Sequence, residues 1–442
     1  MLEKWRNTLM HFRDPRLWWV FLLGCSSGFP WVVIGSNLNG WLKDAGVGRA
    51  EIGLLGSVFT MYAINFMWAP LLDRVKLPFF QRFGQRRGWI LFCQVAMLIC
   101  LISMTTLEPS QQLFLTGLIA LVVAIFSATQ DIAIDAFRID QFNDSERELF
   151  PLAAAMGIVG WWTGYSWPGA LSFNMADSIG WHNVMWLMVG VNGLLIVFTL
   201  MVGEPRVDRD ALQARAADRY SSSGGIARWL LVTVVEPFRD FFRRNGVKTA
   251  LTLMAFIFLF KVGEAFLGRM SIVFYKEVGF TNEQIGDYSK MFGWFVTVTF
   301  TLVGSIINAR FGVIRGLMIG GLAMAASNLM FAWIAVAGPE VWLLLLTLVV
   351  DNFTTAFSTV AFVAFLTALT GRAFSATQYA MLASLGNLSR TTLASSSGYL
   401  VDWLGSWERF FVVTTLMVIP SLVMLWLLRE KLASASGQSQ KP

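Results

Sequence analysis

Ser127-Ala128-Thr129-Gln130-Asp131-Ile132-Ala133-Ile134-Asp135-Ala136-Phe137-Arg138 closes an apolar run that begins near Leu113. On a helix, residues four apart share one face, so Asp131 and Asp135 stand one above the other with Gln130 beside them. A charged side chain at the centre of a bilayer costs about 2.5–3.5 kcal/mol on insertion scales, which argues against a lipid-facing position. The pair is expected to face the protein interior or a water-filled cavity, as part of a substrate or proton pathway. The plainer alternative is a helix end anchored at the membrane surface by Asp135 and Arg138.

Composition supplies the membrane. Of 442 residues, 56% are hydrophobic and 14% charged, whereas soluble domains carry about 25% charged residues. Crossing a hydrocarbon core roughly 30 Å thick takes about 20 helical residues. Backbone groups in lipid must bond within their own segment, so each apolar run reads as a helix. Twelve runs qualify: 16–39, 51–72, 88–107, 112–137, 150–173, 181–202, 247–275, 284–309, 313–336, 340–369, 375–401 and 408–429. The fold class is therefore an all-α membrane protein with twelve transmembrane helices.

An even number of spans puts both ends on one side. Connections on that side are rich in Lys and Arg, notably 73–87 and 203–246, while the other side holds only Lys43, Arg49, Lys276 and Arg409. This bias predicts cytoplasmic termini. The net charge of +6 lies mostly in loops, so the lipid bilayer is the expected partner and nucleic acid is not. Cys25, Cys93 and Cys100 all lie in apolar runs, which suggests no disulfide framework. His11 and His182 are the only histidines. No nucleophile with a base, nucleotide loop or metal-ligand cluster stands out, so no catalytic residue, metal or cofactor is expected and the chain does not read as an enzyme. The first apolar run lacks a small-residue cleavage site, so no cleaved signal peptide is expected.

Residues 203–246 form the only long connection. They divide an N-terminal six-helix bundle, 1–202, from a C-terminal one, 247–430, and leave 431–442 as a polar, disordered tail. Within the linker, Trp229, Leu230, Val234 and Phe238 fall on one side of an expected amphipathic surface helix around Ile226–Phe242.

Several constellations carry candidate roles. Asp73 and Arg74 with Arg86 and Arg87 can close a cytoplasmic gate, since a carboxylate there can pair with arginines and with a nearby helix N-terminus; anchoring by positive charge alone is the alternative. A carboxylate removed from water has less reason to stay ionised, which makes Asp131 and Asp135 the leading proton-coupling candidates, Asp131 lying deeper. Lys261 and Glu264, three apart, are neighbours on one helical face and make either a switch or a fixed ion pair. Arg269, toward the far end of the same run, either snorkels or attracts an acidic ligand. Asp351 and Arg390 either pair with each other, or Arg390 binds a substrate carboxylate through its two-pronged guanidinium. Asn387 lies one turn before Arg390. Trp161, Trp162, Tyr165 and Trp167 sit too centrally for an interfacial belt and can stack on sugar rings, or simply pack on a neighbouring helix. Gly157, Gly160 and Gly164 favour close helix packing.

Motifs along the chain resemble one family. Leu23-Gly24-Cys25-Ser26-Ser27-Gly28-Phe29-Pro30 is similar to a Gly-x-x-Ser-Gly-Leu-Pro pattern. Trp68-Ala69-Pro70-Leu71-Leu72-Asp73-Arg74, Pro78-Phe79-Phe80 and Arg86-Arg87-Gly88-Trp89 are similar to Trp-Ser-Pro-Leu-x-Asp-Arg, Pro-Phe-Phe and Arg-Arg-Gly-Trp. The 127–136 stretch, Lys261-Val262-Gly263-Glu264-Ala265-Phe266 and Phe374-Ser375-Ala376-Thr377-Gln378-Tyr379-Ala380 also match. These are the marks of the AmpG family of muropeptide permeases, a branch of the major facilitator superfamily. Two departures stand out: Glu264 replaces the usual Asp, and long members carry further hydrophobic segments at the C-terminus.

The resemblance implies a major facilitator fold of two six-helix bundles with the binding site between them near mid-depth. It implies import of an amino-sugar muropeptide (N-acetylglucosaminyl-anhydromuramyl compounds, with or without peptide) by proton symport across the bacterial inner membrane, by a monomer. Proton coupling would then fall to Asp131, Asp135 and Glu264. Substrate binding would fall to Gln130, Trp161, Trp162, Tyr165, Lys261, Arg269, Asp351, Asn387 and Arg390. Siderophore importers and eukaryotic acetyl-CoA transporters look similar, so another amphiphilic metabolite is the alternative cargo, and a non-transporting membrane sensor is the alternative class.

Overall fold

A computed structural model describes residues 11–47, 55–109, 111–205, 207, 229–280, 293–388 and 397–435. Twelve segments follow in chain order. α1 is Pro15–Trp31, continued by a wider π turn Val32–Asn37 and by Leu38–Asp44. α2 is broken into Gly56–Thr60, Met61–Ile64, Asn65–Met67 and Ala69–Arg74. α3 is Gln85–Met104, α4 Leu113–Asp140, α5 Phe150–Ile179 and α6 Trp181–Met201. α7 runs Val247–Phe260 and, after a break at Lys261, Val262–Val278. α8 is Gly293–Phe311, α9 Val313–Ala337, α10 Val341–Leu369, α11 Ser375–Leu388 and α12 Trp407–Ala435, with Ser397–Leu404 before the last.

Nine of the described helices are long and apolar enough to cross a membrane, not the twelve expected. The others are α2, α5 and α11. α2 lacks continuity, and the described part of α11 is short. α5 has 30 residues, but its tryptophans, Tyr165, glycines and serines dilute its apolar character. Large apolar side chains such as Phe114, Trp186, Leu322, Trp333 and Trp426 are exposed along the outer surface. A surface of that kind suits hydrocarbon and is unsuited to water.

Two features of α1 set how the first six segments pack. Pro30 lies inside the helix; lacking an N–H, it frees the Ser26 carbonyl one turn back, and the π turn follows directly. Glycines then let α1 and α5 touch backbone to backbone. A Cβ added to Gly28 would lie 2.0 Å from the Trp161 carbonyl oxygen, and one on Gly164 would lie 2.0 Å from that of Cys25. Among the last six segments, α9 packs on α10 and α12 and α8 packs on α10, again with glycine at a close approach: a Cβ on Gly320 would meet the Ser358 backbone at 2.9 Å.

The two groups of six meet where α5 lies on α8 and α10, and where α11 lies on α2 and α4. Residues 203–205 and the helix Glu236–Asn245 belong to the connection between the groups; the end of the bundle that holds them is called the linker end below. Trp229, Leu230 and Val234 are exposed there, while Pro237 and Phe241 are buried and Phe238 and Phe242 pack against the core. The linker helix is thus docked on the bundle as well as amphipathic.

Candidate functional site

The deepest polar cluster at the linker end is built around Arg86, whose side chain is fully buried. It sits in the first turn of α3. Its Nη2 donates to Asp73 Oδ1 at 2.7 Å, its Nε to Asp140 Oδ2 at 2.9 Å and its Nη1 to the Leu72 carbonyl at 3.0 Å. Asp73, at the end of α2, reaches across to the other six segments. It accepts hydrogen bonds from the backbone N–H groups of Ala376 (3.2 Å) and Thr377 (2.9 Å) and from Thr377 Oγ1 (2.8 Å). The first N–H groups of a helix have no partner within it and carry a partial positive charge, so a carboxylate fits there. Ser375 ties the network together, accepting from Arg86 Nη2 at 2.7 Å and donating to Asp140 Oδ1 at 3.0 Å.

Arg87 does something else. Its Nε and Nη2 donate to the Thr199 and Leu200 carbonyls at the end of α6, so it caps a helix within its own group and does not reach α11. The N–H groups of Arg86 and Arg87 are themselves capped by Glu204 at 2.9 and 3.0 Å. Arg74 closes the last turn of Ala69–Arg74, half-buried. Two further arginines cross between the groups: Arg372 donates to the Asp140 carbonyl and to Asn143 Oδ1, and Arg138 of α4 donates to Thr367 Oγ1 of α10 at 2.8 Å. The guanidinium of Arg138 also lies 5.1 Å from the ring centroid of Tyr379 on α11.

Above this layer stand the two carboxylates of α4. Asp131 accepts from Ser27 Oγ of α1 at 2.6 Å. Asp135 takes a hydrogen bond from Arg138 Nη2 at 2.9 Å, and 38% of its side chain stays accessible. Gln130, next to Asp131 along the chain, turns toward α1. It is fully buried between α4 and α1, and its Nε2 donates to the Ser26 carbonyl at 2.8 Å, the acceptor that Pro30 leaves free.

The aromatic residues of α5 are joined by others the sequence reading did not single out. Trp161 and Tyr165 stack with centroids 5.3 Å apart and an interplanar angle of 11°. Trp162 meets both edge-on. Trp31 of α1 lies against Trp161, Phe59 and Tyr62, and Tyr62 donates to Ser127 Oγ, one turn from Asp131. Trp167 is 69% exposed and faces outward.

In the last six segments, the break at Lys261 brings its ammonium 2.5 Å from Glu264 Oε2 and 3.1 Å from Thr359 Oγ1 of α10. Lys261 and Arg138 therefore both end on α10, at threonines eight residues or about 12 Å apart along the helix. Asp351 accepts from Ser327 Oγ at 3.2 Å. Its expected partner Arg390 lies outside the described residues, as does the Arg269 side chain. Asn387 is exposed near the end of α11. Among the described residues, no group of three or more His, Cys, Asp or Glu can hold a metal ion.

The chain matches the family model of the Major Facilitator Superfamily over residues 20–281 and 263–442. It is 31% identical over 423 residues to the anhydromuropeptide permease of Escherichia coli (strain K12), covering 95% of this chain and 81% of that one. A Rickettsia felis chain named AmpG 4 is 31% identical over 422 residues, with 95% and 98% covered. Among solved structures, the proton:xylose symporter XylE bound to 6-bromo-6-deoxy-D-glucose has the same fold, with a TM-score of 0.66 at 14% identity over 93% of this chain and 94% of that one.

Proposed function

The chain belongs to the AmpG-type permeases of the Major Facilitator Superfamily, and on that premise we propose that it imports cell-wall muropeptides across the inner membrane in symport with protons. It is a membrane transporter and not an enzyme. In this reading residues 1–202 and 247–430 are two rocking halves, 203–246 tethers them, and the linker end faces the cytoplasm.

The observation that carries the reading is the bond between Asp73 and the first turn of α11. It joins the halves at the linker end through groups that separate cleanly when the halves tilt. Arg86 and Asp140 hold Asp73 in place while the end is closed, and Arg138 from the first half and Arg372 from the second add struts. Opening wets all of these groups, so the latch closes again without a buried charge left behind.

Protons fit the carboxylates of α4. Asp135 lies beside Arg138, so a proton taken there changes the charge balance next to an inter-half strut, and Asp131, beside the Ser27 hydroxyl, stands one helical turn farther along α4. Glu264 with Lys261 is the matching pair in the second half. A proton entering a negative interior gains about 2.3 kcal/mol for each 100 mV, and this drives accumulation. Amino-sugar rings have apolar faces, and the aromatic group of Trp31, Tyr62, Trp161 and Tyr165 beside Asp131 suits them.

Uptake of labelled N-acetylglucosaminyl-anhydromuramyl peptide into vesicles tests this. Accumulation should follow an imposed proton gradient, stop when a protonophore collapses it, and be lost in Asp131→Asn. Saturable binding without accumulation, or accumulation indifferent to the gradient, would overturn symport.

A further inference from the structure

We propose that Gln378 is a positioning residue through which the linker helix Glu236–Asn245 holds the closed linker end together. This rests on the gate reading above and extends it to a part of the chain outside both halves.

Gln378 is fully buried in the first turns of α11, next to Thr377. A side-chain amide offers two donors and two acceptor sites, and here all four are used. Its Oε1 accepts from the Gly371 N–H at 2.7 Å and from Arg244 Nη2 at 2.6 Å. Its Nε2 donates to the Pro237 carbonyl at 2.9 Å and to Asp240 Oδ2 at 3.0 Å. Three of the four partners belong to the linker helix. The fourth, Gly371, begins the turn that leads into α11.

The linker helix reinforces the same turn a second time. Arg244 Nε donates to Asp240 Oδ2 at 3.0 Å, and Arg244 Nη2 also reaches the Leu369 carbonyl at 3.3 Å, the end of α10. The fit is close: a Cβ on Gly371 would lie 2.8 Å from Arg244 Nη2. One helix of the linker therefore fixes the last turn of α10, the 370–374 connection and the start of α11 as a unit.

That unit presents the latch. Ala376 and Thr377 give Asp73 two backbone N–H groups and a hydroxyl, at 2.8 to 3.2 Å. Hydrogen bonds weaken steeply with misalignment, so these three depend on how the first turn of α11 is aimed. Gln378 follows Thr377 directly and is anchored on the linker side, while Thr377 is anchored on Asp73. Loss of the linker anchor lets the turn shift and loosens all three bonds together. Closure of the transporter is thereby made conditional on a docked linker.

The test uses the full chain in nanodiscs, with spin labels at positions 82 and 248, one in each half at the linker end. Distances are measured for the parent, Gln378→Leu, Asp240→Ala and Asp73→Asn. Asp240 lies on the linker helix, so its substitution leaves the packing of α11 intact should Gln378→Leu fold poorly. The expected result is a long-distance population raised at least about fivefold in Gln378→Leu and in Asp240→Ala, with no further rise when either is combined with Asp73→Asn. A parent-like distribution in Asp240→Ala, with Asp73→Asn open, overturns the proposal and leaves the gate reading standing. A parent-like distribution in Asp73→Asn overturns the gate reading itself.

Discussion

Replacing Arg86 by Met should leave the transporter open at the linker end. Arg86 has no exposed surface and is the cation shared by Asp73 and Asp140. Removing one partner of a buried ion pair costs about 3–5 kcal/mol, because the other charge stays buried. Here two carboxylates are left. Both keep some support: Asp140 from Ser375, and Asp73 from Ala376 and Thr377. A single-pair cost is therefore a fair scale for the whole change. The penalty falls on the closed form alone, since separation of the halves returns both carboxylates to water. At 1.4 kcal/mol per factor of ten, the equilibrium moves about two to three and a half orders of magnitude toward the open form. The assay is labelling of a cysteine placed at Ala380, which is 6% exposed and packed in one cluster with Leu23, Ile132 and Ile134 of the first six segments. An impermeant maleimide supplied on the linker side should react with it far faster in Arg86→Met than in the parent, and uptake should fall in step. Arg86→Lys should lie between, because one ammonium cannot serve Asp73, Asp140 and the Leu72 carbonyl in the geometry of a planar guanidinium. Labelling and uptake both at the parent level in Arg86→Met would refute the assignment of closure to this network.

Three other outcomes follow from the geometry. Gly164→Val puts a branched side chain where even a Cβ lies 2.0 Å from the Cys25 carbonyl; overpacking costs about 1–3 kcal/mol or more, so the thermal midpoint should drop well below that of Gly190→Val, whose added Cβ meets nothing within 4 Å. Gln130→Leu strands the Ser26 carbonyl in the α1–α4 interface, at about 1–3 kcal/mol for an unsatisfied buried group, and should lower the thermal midpoint while leaving KM for substrate unchanged. The hydrogen bond from Arg16 holds the Glu146 carboxyl below its ordinary range. A carboxylate with a depressed value adds stability above its unfolded value and loses it as pH falls through the folded one; the thermal midpoint of Glu146→Gln should therefore fall less steeply than the parent's on acidification below about pH 4.5.

What the sequence made legible was local. Lys261 and Glu264 are three apart and do pair; Gly157, Gly160 and Gly164 recur at helical spacing and line the α1–α5 contact. Asp73 and Arg86 lie thirteen residues apart around one turn and meet. Long-range partners were not legible. Asp140, which the sequence did not single out, is the second carboxylate on Arg86, and Gln378 finds three of its four partners well over a hundred residues away in the linker. Gln130 shows the same limit: its neighbour along the chain is Asp131, whereas the partner of its Nε2 is the carbonyl freed by Pro30, a hundred residues earlier. The aromatic group was half-visible, since Trp161 and Tyr165 are one turn apart while Trp31 and Tyr62 come from other segments.

The low apolar character of α2 and α5 among the described residues has a physical reading that bears on transport. A helix surrounded by lipid must be apolar on every side, but one that lies between two halves need not be. α2 and α5 are the segments whose described residues fail the test, and both lie at the boundary between the two groups of six; α11 lies there too, but its described part is too short to be tested. α2 brings Asp73, α11 brings the N–H groups that receive it, and α5 brings Trp161 and Tyr165. The broken course of α2 and the polar content of α5 are obstacles to membrane insertion in isolation, so they persist only where neighbouring helices supply partners. In a transporter that rocks about this boundary, those partners must be exchangeable for water or solute at each turn of the cycle. Hydroxyls, helix-end N–H groups and aromatic faces can make that exchange, and interlocked leucine packing cannot. Substituting the polar boundary residues Asn65 and Ser384, which face one another across α2 and α11 at 3.4 Å, with Leu should raise the thermal midpoint and slow uptake together. A rise in stability with uptake unchanged would show that this boundary does not move.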